Sequence, residues 1–182
     1  VHCGAAEGTL TLKNTELIAP VAGTADEINS ASPSVIGVAA WAQTGENIDE
    51  AWKLVVTDCT IRTNGFAVFD RWNNATYTNT TFTGLEGVEG LDDIEVKTCY
   101  MALNNPHAND VTYDHCTFRN MRSWGMLVAG EELTVTDCTF DGTNQSCAIS
   151  VAYGTIDKCT ITGNTFDLSG SGSGIMFSGA VT

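Results

Sequence analysis

Basic residues are scarce. The 182-residue chain carries eight Lys and Arg against 22 Asp and Glu, a formal net charge of −14. Such a surface repels a phosphate backbone, so the chain is expected to bind no nucleic acid. An anionic bilayer surface is disfavoured for the same reason. Long apolar runs are missing too. The longest, Val35–Ala42 with Gly37 inside it, is far too short to span a bilayer, so no membrane insertion is expected. No basic, apolar leader opens the sequence as given. Seven cysteines are present, yet none form a CxxC pair and none stand at zinc-ligand spacing from a histidine. The odd count and periodic spacing argue for packing residues rather than a disulfide framework.

What is there suffices for one domain, taken as residues 1–182, with a sizeable core: hydrophobic residues make up 43% of the chain, too many for a disordered segment. Acidity, few Lys and abundant Thr, Asn and Gly suit a secreted or cell-surface bacterial protein.

The chain rewrites one heptapeptide: "TLKNTEL" (11–17), "VVTDCTI" (55–61), "TYTNTTF" (76–82), "TYDHCTF" (112–118), "TVTDCTF" (134–140) and "TIDKCTI" (155–161). The fifth place reads Cys59, Thr80, Cys116, Cys138 and Cys159, at steps of 21, 36, 22 and 21 residues, and Thr15 holds it in the first copy. A period near 22 with variable insertions marks a solenoid. Within a copy the alternation is that of strands, with a break at the fourth place: Asn14, Asp58, Asn79, His115, Asp137 and Lys158. Asn and Asp tolerate a left-handed bend there. The inward columns are then Cys59, Thr80, Cys116, Cys138 and Cys159, followed by Ile61, Phe82, Phe118, Phe140 and Ile161. Each Cys is read as a small, reduced core residue stacked at the strand spacing of about 4.8 Å. Cys3 lies outside this ladder and is the candidate for a free thiol or a bond to another chain.

A third strand follows each copy: "VIGVA", "FAVF", "MALN", "MLVA", "AISVA" and "GIMF". Its inward pairs are read as Ile36/Val38, Phe66/Val68, Met101/Leu103, Met126/Val128, Ile149/Val151 and Ile175/Phe177. The segments 22–33 and 45–52 swell the first turn, the latter with room for a short helix. Segment 84–97 swells the third turn; the other register would make 94–101 an extra copy with Cys99 in the ladder.

Three short strands per turn, a bend column and stacked like residues resemble the right-handed parallel β-helix of the pectate-lyase-like superfamily, over nearly the whole chain and about six turns. The expected class is all-β. The resemblance specifies fold far better than function. In the pectin-degrading relatives it implies catalysis on the outer face of a sheet, by acidic residues and an Arg or Lys base. Outward positions of the third strand here carry no ionisable side chain: Gly37, Ala67, Ala102, Leu127, Ser150 and Met176, then Ala39, Phe69, Asn104, Ala129, Ala152 and Ser178. No paired carboxyls flank a would-be glycosidic bond. No catalytic residue, metal ligand or cofactor is therefore assigned.

Loops beyond the third strand offer a weaker candidate. Trp41, Trp52, Asp70, Arg71, Trp72, Asn104 and His107 should share one edge of the solenoid, where aromatic and polar groups stack on sugar rings. The competing account is that the Trp residues cover the edge and Asp70–Arg71 is a solvated pair. Glu86, Glu89, Asp92 and Asp93 form an acidic loop expected to pair with Arg119 and Arg122. Outward Thr columns resemble those of ice-binding β-solenoids, but the row Lys13, Thr57, Thr78, Asp114, Thr136, Asp157 is too mixed for a regular array. The expectation is an adhesin-like, non-catalytic domain with a carbohydrate or host-surface ligand; the alternative is a carbohydrate-active enzyme, a polysaccharide lyase or glycoside hydrolase. An open β-helix exposes unpaired edges, so flanking parts of a longer protein or end-to-end stacking of another copy is expected to cover them.

Overall fold

The computed structural model describes residues 2–3, 8–31, 33–38, 53–69, 74–141, 147–151, 156–168 and 172–178. All strand pairing among them is parallel, and it resolves into three sheets. The first holds β2 (Thr9–Lys13), β5 (Lys53–Thr57), β8 (Asn74–Thr78), the second half of β10 (Met101–Asp114), the second half of β12 (Trp124–Thr136) and β15 (Lys158–Thr162). The second holds β3 (Glu16–Ala19), β6 (Thr60–Thr63), β9 (Thr81–Thr83), β11 (Thr117–Arg119), β13 (Thr139–Asp141) and β16 (Thr165–Asp167). The third holds β1 (His2–Cys3), β4 (Ser34–Val38), β7 (Phe66–Phe69), the first halves of β10 and β12, β14 (Cys147–Val151) and β17 (Ser173–Phe177). Six rungs each take one strand from each sheet, and β1 adds a seventh strand to the third sheet beside β4: a parallel β-helix.

The corner between the first two sheets is a left-handed residue. Asn14, Asp58, Asn79, His115 and Asp137 have φ between 50° and 53°, and Gly163 has φ 68°. One such residue turns the chain without a loop, because Asn, Asp and Gly tolerate this conformation. The corner also explains the Cys/Thr interchange that follows it. In every such rung the side chain donates back across the bend to the carbonyl two residues earlier: Thr15 Oγ1 to Lys13 at 2.9 Å, Cys59 Sγ to Thr57 at 3.2 Å, Thr80 Oγ1 to Thr78 at 3.1 Å, Cys116 Sγ to Asp114 at 3.4 Å and Cys138 Sγ to Thr136 at 3.3 Å. The column therefore selects a short γ-donor, and Cys is more here than a small apolar filler. Cys59, Cys99, Cys116, Cys138, Cys147 and Cys159 are all free thiols.

The sixth rung corrects the register read from the sequence. Cys159 pairs with Leu133 and Ile161 with Val135, so both belong to the first sheet rather than to the column after the bend. Gly163 takes the bend, Asn164 the ladder place and Phe166 the aromatic place beside Phe140. Asn164 does the capping with an amide: Oδ1 accepts the Cys138 N–H at 2.7 Å, and Nδ2 donates to the Val135 carbonyl at 2.9 Å. Lys158 accordingly begins a strand and is not a bend.

Ile61, Phe82, Phe118 and Phe140 are buried and pair across successive rungs of the second sheet. Successive rings from Phe82 to Phe166 stack nearly parallel, 4.8–5.0 Å between centroids. Tyr77 and Tyr113 form a second stack at 4.6 Å that meets the first edge-on. Burial of one such ring is worth roughly 1.5–3 kcal/mol, and each aromatic pair adds about 0.5–1.5 kcal/mol.

The third sheet also corrects a face assignment. Its inner row runs Ile36, Val68, Ala102, Met126, Ile149, Ile175. Ala67 is an extra residue between the pairs Phe66–Met101 and Val68–Ala102. That bulge turns Phe66 and Met101 out of the core into a separate cluster with Leu127, as one inserted residue reverses side-chain parity.

Both insertions are packed on the corners. The helix α1 (Ala25–Ala31) lies in the first swelling. Thr24 and Glu27 cap it reciprocally: the Thr24 N–H donates to Glu27 Oε2 at 2.8 Å and the Glu27 N–H to Thr24 Oγ1 at 3.4 Å. Those bonds hold the Glu27 carboxyl below its usual range. Segment 45–52, where a helix had room, falls outside the described residues. Segment 84–97 is an insertion and 94–101 is no extra rung, because Cys99 bridges Met121 instead of joining the ladder.

Candidate functional site

Five of the seven expected ligand residues, Trp41, Trp52, Asp70, Arg71 and Trp72, lie outside the described residues. Asn104 and His107 belong to β10, described there by its backbone. Asn104 pairs with Val128 and Ala108 with Gly130, so β10 carries two more residues than β12 between these pairs. His107 sits in that irregularity, where the third sheet passes into the first.

An aromatic patch went unrecognised in the sequence because it depends on the Ala67 bulge. Phe66, Met101 and Leu127 form the buried base on the outside of the third sheet, and half-buried Tyr100 and Trp124 pack against it. Phe66 and Tyr100 meet edge-on at 4.8 Å. The Arg122 guanidinium lies 5.2 Å from the Tyr100 ring centre, a cation–π contact. Trp124 Nε1 is enclosed and has no acceptor among the described residues. Neighbouring Ser150, in the row of Leu127, has a buried hydroxyl in the same condition.

The cations take different partners from those expected. Arg119 Nε meets Asp141 Oδ2 at 2.8 Å, Arg62 Nε meets Glu16 Oε1 at 2.8 Å and Lys158 Nζ meets Glu132 Oε2 at 3.1 Å, each across adjacent rungs. Lys97 and Asp92 lie 3.9 Å apart within the third-turn insertion. Arg122 pairs with no acidic residue of that insertion. It donates to the Thr98 carbonyl at 2.9 Å, the Asn64 carbonyl at 3.2 Å and Asn29 Oδ1 at 2.7 Å. Burial pushes its pKa down, though a guanidinium stays charged. Glu86 instead accepts from Asn120 Nδ2 at 2.8 Å.

Two polar sites remain. A cleft of about 270 Å³ lies between the two insertions, lined by residues of 21–24 and 93–95 with Glu27. Its one committed carboxylate, Glu27, is engaged in the helix cap. At the first corner, Asp58 Oδ1 accepts from Asn79 Nδ2 at 2.7 Å, and His115 Nδ1 lies 2.8 Å from Asp114 Oδ1. His115 Nε2 lies 4.0 Å from Asp137 Oδ2 on the next rung. The hydrogen bond that His115 donates to Asp114, then the charge of Asp114 and that of Asp137, raise the His115 pKa. Buried Cys99 and Cys147 are pushed up, to about 12 and about 11, by loss of solvation. Such thiols are poor nucleophiles. With the sixth rung corrected, the mixed outward row reads Lys13, Thr57, Thr78, Asp114, Thr136, Thr162. Asp114 still interrupts it.

This geometry defines a repetitive β-solenoid whose described outer faces carry aromatic, threonine and ion-paired side chains. A family model for the right-handed β-helix region matches residues 39–182. The chain belongs to that family. No curated protein and no solved structure matches it.

Proposed function

We propose that the chain is a non-catalytic, adhesin-like β-helix module of a secreted or cell-surface bacterial protein, and that it binds carbohydrate on the outside of its third sheet. The observation that carries this reading is the half-buried pair Tyr100 and Trp124 over the apolar base of Phe66, Met101 and Leu127. Aromatic faces with a few polar groups suit the apolar faces of sugar rings. The enclosed Trp124 N–H and the Arg122 beside Tyr100 supply polar character at its margin. Asn104 and His107 of β10 remain candidate ligand residues, together with Trp41, Trp52, Asp70, Arg71 and Trp72, which follow strands of this sheet in the sequence.

Four of the eight cations favour a non-catalytic role. Arg62, Arg119 and Lys158 are held by carboxylates of neighbouring rungs, and Arg122 by carbonyls. A lyase base must be free to take a proton from substrate. The test is a glycan array on the full chain, with lyase and hydrolase assays on acidic polysaccharides. Binding that weakens in Trp124→Ala and Tyr100→Ala, without turnover, supports the proposal. Turnover would favour the carbohydrate-active enzyme, and binding unchanged in both variants would place the ligand elsewhere.

A further inference from the structure

We propose that the corner formed by Asp114, His115 and Asp137 is a divalent transition-metal site, of the zinc class, with His115 Nε2 and Asp137 Oδ2 as protein ligands and Asp114 as the residue that orients the imidazole. The observation is independent of the sugar-binding patch. Each of the three residues offers a donor atom within 4.8 Å of the other two. The atoms have a definite division of labour. Asp114 Oδ1 stands 2.8 Å from Nδ1, so it accepts the Nδ1–H and leaves the Nε2 lone pair free. Nε2 faces Asp137 Oδ2 across 4.0 Å. A histidine that ligates through one nitrogen while giving its other N–H to a carboxylate is the usual arrangement around zinc. A tetrahedral ion at about 2.0–2.2 Å from each donor needs them roughly 3.3–3.6 Å apart. Half-exposed Asp137 and exposed His115 can close the remaining half ångström by side-chain rotation, and water fills the other positions.

Two further features set this corner apart from the others. Elsewhere, carboxylates facing a neighbouring rung meet Arg or Lys, as Glu16, Asp141 and Glu132 do, or an amide, as Asp58 meets Asn79 Nδ2. Among the described residues neither Asp114 nor Asp137 has an Arg or Lys at ion-pair distance; both face only His115. The left-handed backbone does not itself call for imidazole, because Asn serves at positions 14 and 79 with the same φ. Gly163, one rung on, leaves room for the other oxygen: a Cβ there would collide with Asp137 Oδ1. The Asp137 carboxylate thus reaches over Gly163 with Oδ2 on the side of His115. Imidazole with carboxylate oxygen suits zinc or its first-row neighbours and is a poor match for magnesium or calcium, which prefer oxygen alone.

The test is calorimetric titration of the chelator-treated full chain with Zn²⁺, with Mg²⁺ as control, while His115 is followed by NMR. The expected result is saturable binding near one ion per chain with a shift of the His115 resonances, and no comparable response to Mg²⁺. His115→Asn keeps a residue that the bend accepts and should abolish that binding event. Asp137→Asn should weaken it about tenfold or more, and Asp114→Asn by about tenfold through loss of orientation. Zn²⁺ binding that persists in His115→Asn would assign the ion to other groups, such as the thiols, and overturn the proposal. So would the absence of saturable binding in the wild-type chain.

Discussion

The backbone N–H of Cys116 donates to the Sγ of Cys138, 3.3 Å away and one rung further along the helix. The same sulfur lies 3.6 Å from the Tyr113 carbonyl of that earlier rung and 3.3 Å from its own Thr136 carbonyl. One buried thiol therefore serves the Cys116 N–H beside the bend and adds a second donor to the Thr136 carbonyl, which also accepts the His115 N–H at 3.0 Å. A buried N–H left alone costs about 1–3 kcal/mol; the part that recurs from Thr15 to Cys138 is the bond from the γ-donor to the carbonyl two residues earlier.

Cys138→Thr should consequently keep the denaturation midpoint close to wild type, within about 1 kcal/mol, since Thr15 and Thr80 perform the same role in the same column. Cys138→Ser inherits the partners and should be milder than loss of the donor. Cys138→Ala should cost about 1–3 kcal/mol, because the Cys116 N–H loses its acceptor. Equal midpoints for the Ala and Thr variants in chemical denaturation would show that the thiol acts by volume alone.

Asn79 tests the bend itself. Its φ is 50°, and its Nδ2 holds Asp58 Oδ1 at 2.7 Å. Asn79→Ala keeps the Cβ in left-handed backbone but removes the amide that compensates for it, and should destabilise by about 1–2 kcal/mol. Asn79→Gly relieves the steric part and should fall between Ala and wild type. If Gly proves as costly as Ala, the Asp58 bond, and not the backbone, dominates at this position.

Most of the β-helix was legible in the heptapeptide because bend, γ-donor and inward ring are local demands repeated at every rung. The bend column through Asp137 and the ring column through Phe140 follow from those demands. The last rung was misread because Cys159 and Ile161 imitate ladder residues in type and alternation. The better match was "TITGNTF" (160–166), whose Gly163 and Asn164 meet the bend and cap requirements with other residue types. The faces of the third sheet were misassigned in the second and third rungs because a single bulged residue, Ala67, has no signature in an apolar run. The Arg122 contacts were equally hidden: its partners Asn29, Asn64 and Thr98 come from three separate turns. The aromatic patch of Tyr100 and Trp124 shared that fate, since it needs Phe66 facing outward.

His115 should titrate above the ordinary imidazole value of 6.5 in metal-free protein. The cause, chiefly Asp114, favours the protonated form in the folded state. A raised folded-state pKa means that the contribution to stability is complete below the unfolded value and is lost as pH rises through the folded value. Asp114→Asn should return the His115 titration most of the way, and Asp137→Asn by a smaller step. An NMR titration showing His115 at or below 6.5 would contradict the corner geometry.

Arg122 is expected to matter more to folding than any of the exposed ion pairs. Pairs such as Arg119–Asp141 are screened by solvent and are worth about 0.2–1 kcal/mol each. Arg122 is partly enclosed and ties α1 through Asn29, the second-rung corner through Asn64 and the third-rung insertion through Thr98. Its guanidinium serves three acceptors in different directions, a task that an ammonium point charge on a flexible stem cannot share. Arg122→Lys should therefore cost about 2–4 kcal/mol, from charged hydrogen bonds lost and carbonyls left without donors. The local signature is more specific than the global one. Amides of 84–98 and of Ala25–Ala31 should exchange hydrogen faster in the variant, while those of β11 and β13 keep their protection. Unchanged exchange in both insertions, at an unchanged midpoint, would mean that the insertions are held by their own packing and that Arg122 merely lies across them.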